Sequence, residues 1–273
     1  MNDTHLKISV RVSVLEQSDI LIAFLSDAGF EGFIQTNDQL EAYISHTQFS
    51  AEVTDEIIHR MGLEYSIERV PAKNWNEEWE KNFRPVRVGD FCQIRAGFHP
   101  PDPTVTYDLV IQPKMSFGTG HHATTRLMIE CMRSLRLSDA ILLDYGTGTG
   151  VLAVLAEKMG ACSILAVDND PWSIENAREN IETNTCGKIT LLLADSAPAT
   201  SRFSHILANI NRNVILNQLH SMAQQLENDG VLVISGVLET DLPMIREAAA
   251  ASELIENKLL SSESWVAVQY LKH

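Results

Sequence analysis

Three things are scarce in this chain of 273 residues: cysteine, basic side chains and uninterrupted apolar sequence. Cys92, Cys131, Cys162 and Cys186 are widely spaced and form no CxxC pair, so neither a disulfide framework nor a zinc site is suggested and all four read as buried or free thiols. Lysine and arginine number 21 against 36 aspartates and glutamates, a formal charge of −15. That balance argues against broad contact with nucleic-acid phosphates, which needs clustered cations, and leaves a basic protein partner or no charged partner. No apolar run approaches the roughly 18 residues of a membrane span. The opening Met1-Asn2-Asp3-Thr4-His5 has neither the basic nor the apolar region of a signal peptide. A cytoplasmic protein without membrane attachment, and a monomer, are the expectations. Internal repeats and low-complexity tracts are also missing. What remains is ordinary globular composition, 45% hydrophobic and 21% charged. The length suits two domains or one large one.

The acid is unevenly placed. Residues 1–70 hold twelve acidic side chains and only Lys7, Arg11, Arg60 and Arg69 opposite them, a net −8. The same segment reads as a small α+β unit. Ile8, Val10, Val12 and Val14 alternate as in a strand, and Leu21, Ile22, Phe24 and Leu25 follow at helical spacing before Gly29. Short strands are expected at Phe33-Ile34, Leu40–Ile44 and Tyr65–Val70, with a helix from about Ser50 to Met61 stopped by Gly62. The order β-α-β-β-α-β suits a ferredoxin-like unit.

Residues 71–98 change character. Trp75, Trp79 and Phe83 recur at intervals of four, one aromatic stripe of a short helix, which reads as packing between domains or, alternatively, as a binding platform. Pro85, Pro100, Pro101 and Pro103 mark turns around strands near Phe91–Arg95 and Val105–Ile111. From about residue 140 strands and helices alternate. Ile141–Leu143, Ile164–Val167, Ile189–Leu193, Ile206–Ala208 and Val231–Ile234 read as strands, as does the alternating Val266–Tyr270. Between the first three lie helical patterns over Leu152–Met159 and, after an Asp170-Pro171 cap, over Ile174–Ile181. This alternation predicts a doubly wound, mostly parallel, Rossmann-like α/β sheet.

Asp144-Tyr145-Gly146-Thr147-Gly148-Thr149-Gly150 stands where the first of these strands hands over to a helix. Glycines there let the backbone turn sharply and let a ligand lie against main-chain N–H groups. Asp168 ends the next strand, 22 residues after Gly146, where a carboxylate can grip two ribose hydroxyls; alternatively it caps the following helix. A nicotinamide dehydrogenase and an S-adenosylmethionine-dependent methyltransferase share both features. Three observations favour the second. The motif opens on an acid, Asp144, suited to a positively charged ligand rather than to a pyrophosphate. Its spacing is GxGxG rather than the GxGxxG that aims a helix end at phosphate. Some 140 residues precede it.

A second motif, Phe117-Gly118-Thr119-Gly120-His121-His122-Ala123-Thr124-Thr125, leads directly into a helix. With Asn74-Trp75, Trp79 and Asn82-Phe83 before it, and Ile206-Leu207-Ala208-Asn209-Ile210 and Ser235-Gly236-Val237-Leu238 after it, this closely resembles the methyltransferases that modify large-subunit ribosomal protein L11, the PrmA family. The resemblance runs from about Asn74 to the C-terminus; the first 70 residues match in size and pattern. It implies a class I methyltransferase domain over residues 99–273, a joining segment over 71–98 with an aromatic helix and a first strand, and substrate recognition by residues 1–70. It implies S-adenosylmethionine as cofactor, with Thr125, Gly146, Asp168 and Asn209 contacting it and Gly148, Phe117 and Thr119 close by. It also implies methyl transfer to lysine and N-terminal amines of L11, free or on the ribosome. Tyr145, Thr147 and Ala123 depart from the commoner residues of the motifs.

No catalytic base is evident in the sequence. Adjacent histidines on a helix start point in different directions, so His121-His122 reads as a loop-structuring pair or a channel lining rather than a metal site. Asp195 either faces the adenine or forms a solvated turn. Two rivals share the pocket: a methyltransferase of small-molecule amines or hydroxyls, which would not need the acidic N-terminal unit, and a non-catalytic ribosome-assembly factor that keeps a cofactor fold.

Overall fold

The computed structural model describes residues 5–12, 15–30, 32–35, 38–70, 84–112, 118 and 120–273. The stripe of Trp75, Trp79 and Phe83, and the candidate site residues Phe117 and Thr119, lie outside the described residues. The chain divides into two compact units, residues 1–82 and 83–273.

In the first unit, β1 (His5–Arg11), α1 (Leu15–Asp27), β2 (Phe33–Gln35), β3 (Gln39–Ser45), α2 (Ala51–Arg60) and β4 (Tyr65–Val70) follow the order expected from the sequence. The strands form one antiparallel sheet in the order β2-β3-β1-β4. Period-two alternation sends Leu6, Ile8 and Val10 of β1 to the same side as Leu40, Ala42 and Ile44 of β3, where Leu21, Leu25 and Ile58 of the helices cover them. Ser50 caps α2, its side chain accepting from the Val53 N–H. The opposite sheet face is polar. Lys7 is held between Glu68 (2.9 Å) and Glu41 (3.5 Å), and these two carboxylates raise its pKa. Exposed acid remains elsewhere on the unit, at Glu52, Glu56 and Glu64 among others.

The second unit begins with a small sheet of β5 (Val86–Val88), β6 (Cys92–Arg95) and β7 (Tyr107–Val110), in which β6 and β7 run parallel. Val86, Cys92, Ile94 and Leu109 are core residues of this larger unit. The strand expected at Val105–Ile111 spans Tyr107–Val110, and backbone bonds from Thr106 to Asp90 and from Ile111 to Arg95 flank it.

Then come α3 (Ala123–Met132), β8 (Ile141–Tyr145), α4 (Val151–Lys158), β9 (Ser163–Asp168), α5 (Pro171–Thr183), β10 (Ile189–Leu193), β11 (Phe203–Asn209), α6 (Arg212–Gln225), β12 (Leu226–Leu238), α7 (Leu242–Ala251), β13 (Leu254–Ser262) and β14 (Trp265–Lys272). Seven strands make one sheet ordered β10-β9-β8-β11-β12-β14-β13. The first five run parallel, and β14 is inserted antiparallel between β12 and β13. Successive residues face opposite layers. Leu142, Leu207, Val233 and Ala267 enter one core with α3 and α4, and their neighbours Leu143, Ile206, Leu232 and Val266 enter a second. On the outer strand β13 the pairing with β14 slips by one residue between Glu256 and Lys258.

Candidate cofactor and substrate cleft

Strand order reverses between β8 and β11. Connections leave these neighbours in opposite directions, which opens a crevice beyond their C-terminal ends. A cleft of about 610 Å³ lies there. Its floor and walls come from the ends of five parallel strands: Tyr145 and Gly146, Val167 and Asp168, Ala194 and Asp195, Asn209 and Ile210, and Gly236. Asn211, Val214, Asn217 and Gln218 of α6 close one side, and His122, Thr124 and Trp265 another.

The glycine loop is cut to shape. Gly146 has φ +72°, a left-handed conformation that disfavours any side chain, and a Cβ there would strike Ile210 Cγ2. Gly146 and Thr147 both donate their N–H groups to the Val167 carbonyl (2.8 and 3.0 Å), which clamps the loop to β9. Asp168 then clamps it again: its Oδ2 accepts from the Gly148 N–H (2.9 Å), and its Oδ1 accepts from the Asp170 N–H (3.0 Å). The cap of α5 itself is Asp170, which accepts from the Trp172 N–H. Asp168 is thus oriented by backbone while still lining the cleft.

Asp144 is a correction. Its expected place beside a charged ligand is taken by Tyr145, because alternate strand residues point to opposite sides and Tyr145 is the one that lines the cleft. Asp144 is 1% exposed beneath the loop and accepts the Thr147 hydroxyl at 2.7 Å. Burial pushes its carboxyl up to about 6; the bond from Thr147 and the Ala153 amide pull the other way. Its Oδ1 finds no hydrogen-bond partner among the described residues. The tyrosine hydroxyl donates to the Asp195 carbonyl, and Asn169 donates to the Asp195 carboxylate (3.1 Å), so Asp195 belongs to the cleft wall.

At the end of β11, Asn209 donates from Nδ2 towards Thr125 Oγ1 at 3.5 Å, while its buried Oδ1 has no partner among the described residues. Thr125 is fully buried behind the cleft and Thr124 is the threonine that lines it. His122 serves as N-cap of α3: its Nδ1 accepts from the Thr124 N–H and pairs with the Thr124 hydroxyl (2.8 Å), and its ring packs edge-on against Trp265. His121 Nε2 meets the Arg84 carbonyl at 3.1 Å. Among the described residues no three His, Cys, Asp or Glu side chains gather as a metal site.

Of the residues singled out from sequence, Gly146, Gly148, Asp168 and Asn209 all line this one cleft. Trp265, Asn217 and Gln218 were not foreseen. They reach it through tertiary closure from distant positions, although the Asn211 cap before an apolar helical run was a readable signal.

The family model for ribosomal protein L11 methyltransferase (PrmA) matches residues 11–273. The chain belongs to that family. It is 40% identical over 260 residues to a Porphyromonas gingivalis protein named ribosomal protein L11 methyltransferase, covering 92% of this chain and 90% of that one. A Chlorobaculum tepidum protein of the same name is 36% identical over 264 residues, covering 91% and 90%. Among solved structures, the ribosomal protein L11 methylase of Lactobacillus delbrueckii subsp. bulgaricus superposes with a TM-score of 0.65 at 26% identity, over 70% of this chain and 100% of that one. A Pyrococcus furiosus methyltransferase shares the fold, with a TM-score of 0.51 at 19% identity over 60% of this chain and 89% of its own. The Rossmann-like fold expected from the sequence is the fold observed, and this PrmA-family chain is a methyltransferase whose methyl donor is S-adenosylmethionine.

The cleft fits that donor. Its glycine cradle would be filled by any Cβ at Gly146, Asp168 presents an oriented carboxylate, and Asn209 presents a buried oxygen that needs a donor.

Proposed function

We propose that this methyltransferase modifies ribosomal protein L11, placing methyl groups on lysine side chains and on the N-terminal amine. What supports the reading is the family match over residues 11–273, joined to a cleft whose strand ends carry Gly146, Asp168 and Asn209. Asn209 lines that cleft, where its amide would hold the cofactor or orient the incoming amine.

When bound, S-adenosylmethionine supplies a methyl group on a sulfonium, a leaving group that needs no further activation. What the chain must do is hold, align and dry the reactants. Asp168 would accept from the ribose hydroxyls, Gly146 and Gly148 would admit the methionine portion against the backbone, and Asn211, Asn217 and Gln218 would line the approach of the amine. Thr125 supports the site from behind, through Asn209. Phe117 and Thr119 complete the proposed cofactor contacts. The amine must arrive neutral. A lysine amine near pKa 10.4, or an α-amine near 7.7–8.0, is shifted downward by partial burial in such a cleft. No side chain is assigned as base; water can take the proton.

Residues 1–70 form the recognition module in this reading, 71–98 the joint and 99–273 the catalytic part. The exposed acid of the first module would attract a basic ribosomal protein, in the cytoplasm, before or after its assembly into the ribosome. Incubation with labelled S-adenosylmethionine and total ribosomal protein, followed by mass mapping, tests the assignment. Label on L11 amines is the expected result; label on other proteins only, or on none, refutes it.

A further inference from the structure

Helix α5 carries asparagines at 176 and 180 and ends on Asn184 as its C-cap, a spacing of four that puts the three on one stripe. All three are buried, Asn180 completely. Asparagine is a weak helix former and its amide is costly to bury, so each needs partners. Asn184 lies against the edge of β7 as a neighbouring strand would. The Val110 N–H donates to its Oδ1 (3.0 Å), and its Nδ2 donates to the Val110 carbonyl (2.6 Å). Two residues on, the Gln112 N–H donates to Asn180 Oδ1 (2.8 Å). Asn180 reaches further. Its Nδ2 donates to the Thr149 carbonyl (2.8 Å), inside the glycine loop, and the Thr149 hydroxyl donates to the Gly118 carbonyl (2.8 Å). Three pieces of backbone therefore meet at one buried side chain and its neighbour: the end of β7, the glycine loop, and the turn that precedes α3.

We propose that Asn180 is a positioning residue for cofactor binding, holding the Thr149 end of the glycine loop at the height that Gly146 and Gly148 need. Asn184, on the same stripe and the same strand edge, makes no bond to that loop; besides sealing the edge, its Nδ2 donates to the Asn180 carbonyl (2.8 Å) at the end of the helix. The proposal rests on the reading of the cleft as the S-adenosylmethionine site. Its discriminating feature is that two chemically identical, similarly buried residues one helical turn apart should behave differently toward the ligand.

The test is calorimetric titration of the full chain with S-adenosylmethionine, alongside thermal melting without ligand. Asn180→Ala leaves the Thr149 carbonyl without its donor, so its Kd is expected to rise about tenfold, an effect of the size that one lost buried hydrogen bond produces. Asn184→Ala should lose comparable thermal stability while its Kd stays within about twofold of the unsubstituted protein. Asn180→Ser, a milder change, gives the same comparison if Asn180→Ala does not fold. In steady-state assays the Asn180 variants should raise the KM for the cofactor with little change in the KM for the protein substrate. Equal affinities for the Asn180 and Asn184 variants, at equal loss of melting temperature, would overturn the proposal. Failure of the unsubstituted protein to bind S-adenosylmethionine would instead overturn the reading beneath it.

Discussion

Asp144→Asn should change how the stability of this protein depends on pH. The carboxyl sits at 1% exposure and is held up to about 6, against an ordinary 3.8, so the folded state keeps its proton to a higher pH than the unfolded chain does. Below pH 3.8 the group is protonated in both states and favours neither. As pH rises toward 6 the unfolded chain gives up its proton first, ionisation pulls toward unfolding, and stability falls. Above that range the penalty is complete, about 3 kcal/mol at ~1.4 kcal/mol per pH unit. Asparagine cannot ionise, and its oxygen can still accept the Thr147 hydroxyl. Its amino group inherits the place of the unpartnered Oδ1, at a cost of about 1–3 kcal/mol that does not vary with pH. The useful quantity is therefore the difference between the two proteins across pH. Relative to the unsubstituted protein, the variant should gain about 3 kcal/mol between about pH 4 and about pH 7, or roughly 6–12 °C in the melting temperature of the larger unit. Scanning calorimetry at constant ionic strength reads this directly, since contributions of the other titrating groups cancel in the comparison. Parallel curves, with a separation constant to within about 2 °C, would refute the claim that burial raises this carboxyl.

Gly146→Ala forces a side chain into the left-handed region and against Ile210, and should weaken S-adenosylmethionine binding by about a hundredfold, judged against Gly187→Ala, where space is open, as control. Asp168→Ala removes both proposed ribose contacts, and by the size of such charge-assisted bonds its Kd should rise by at least about a hundredfold. Replacing Glu52, Glu56 and Glu64 by glutamine should lower kcat/KM for the protein substrate several-fold and weaken its dependence on salt; cofactor affinity should not move. An unchanged salt dependence would remove the acidic unit from recognition.

Much of the larger unit could be read from the chain because parallel strands buried on both faces appear as short apolar runs, and Ile164–Val167, between two helical patterns, can hardly be anything else. The glycine loop and Asp168 were legible for a related reason: strand ends, tight turns and helix caps are local. The orientation of Asp144 was not, since a period of two allows either face and only the packed sheet decides that Tyr145 is the one turned to the cleft. Nor was the cleft's far wall. Trp265 enters it from β14, a strand inserted out of sequence order, and Thr124 rather than Thr125 faces it because His122 starts the helix there. The asparagine stripe was visible as spacing on α5, but its partners at Val110, Gln112 and Thr149 are 74, 68 and 31 residues away along the chain.

The slip between Glu256 and Lys258 bears on how molecules of this protein can meet. An outer strand offers its free N–H and C=O groups to any chain that arrives in register. On β13 that row is bent at the slip, and charged side chains flank the bend. A second molecule would have to copy the irregularity to continue the ladder, so the sheet ends where the chain ends it and self-association by strand addition at this edge is discouraged.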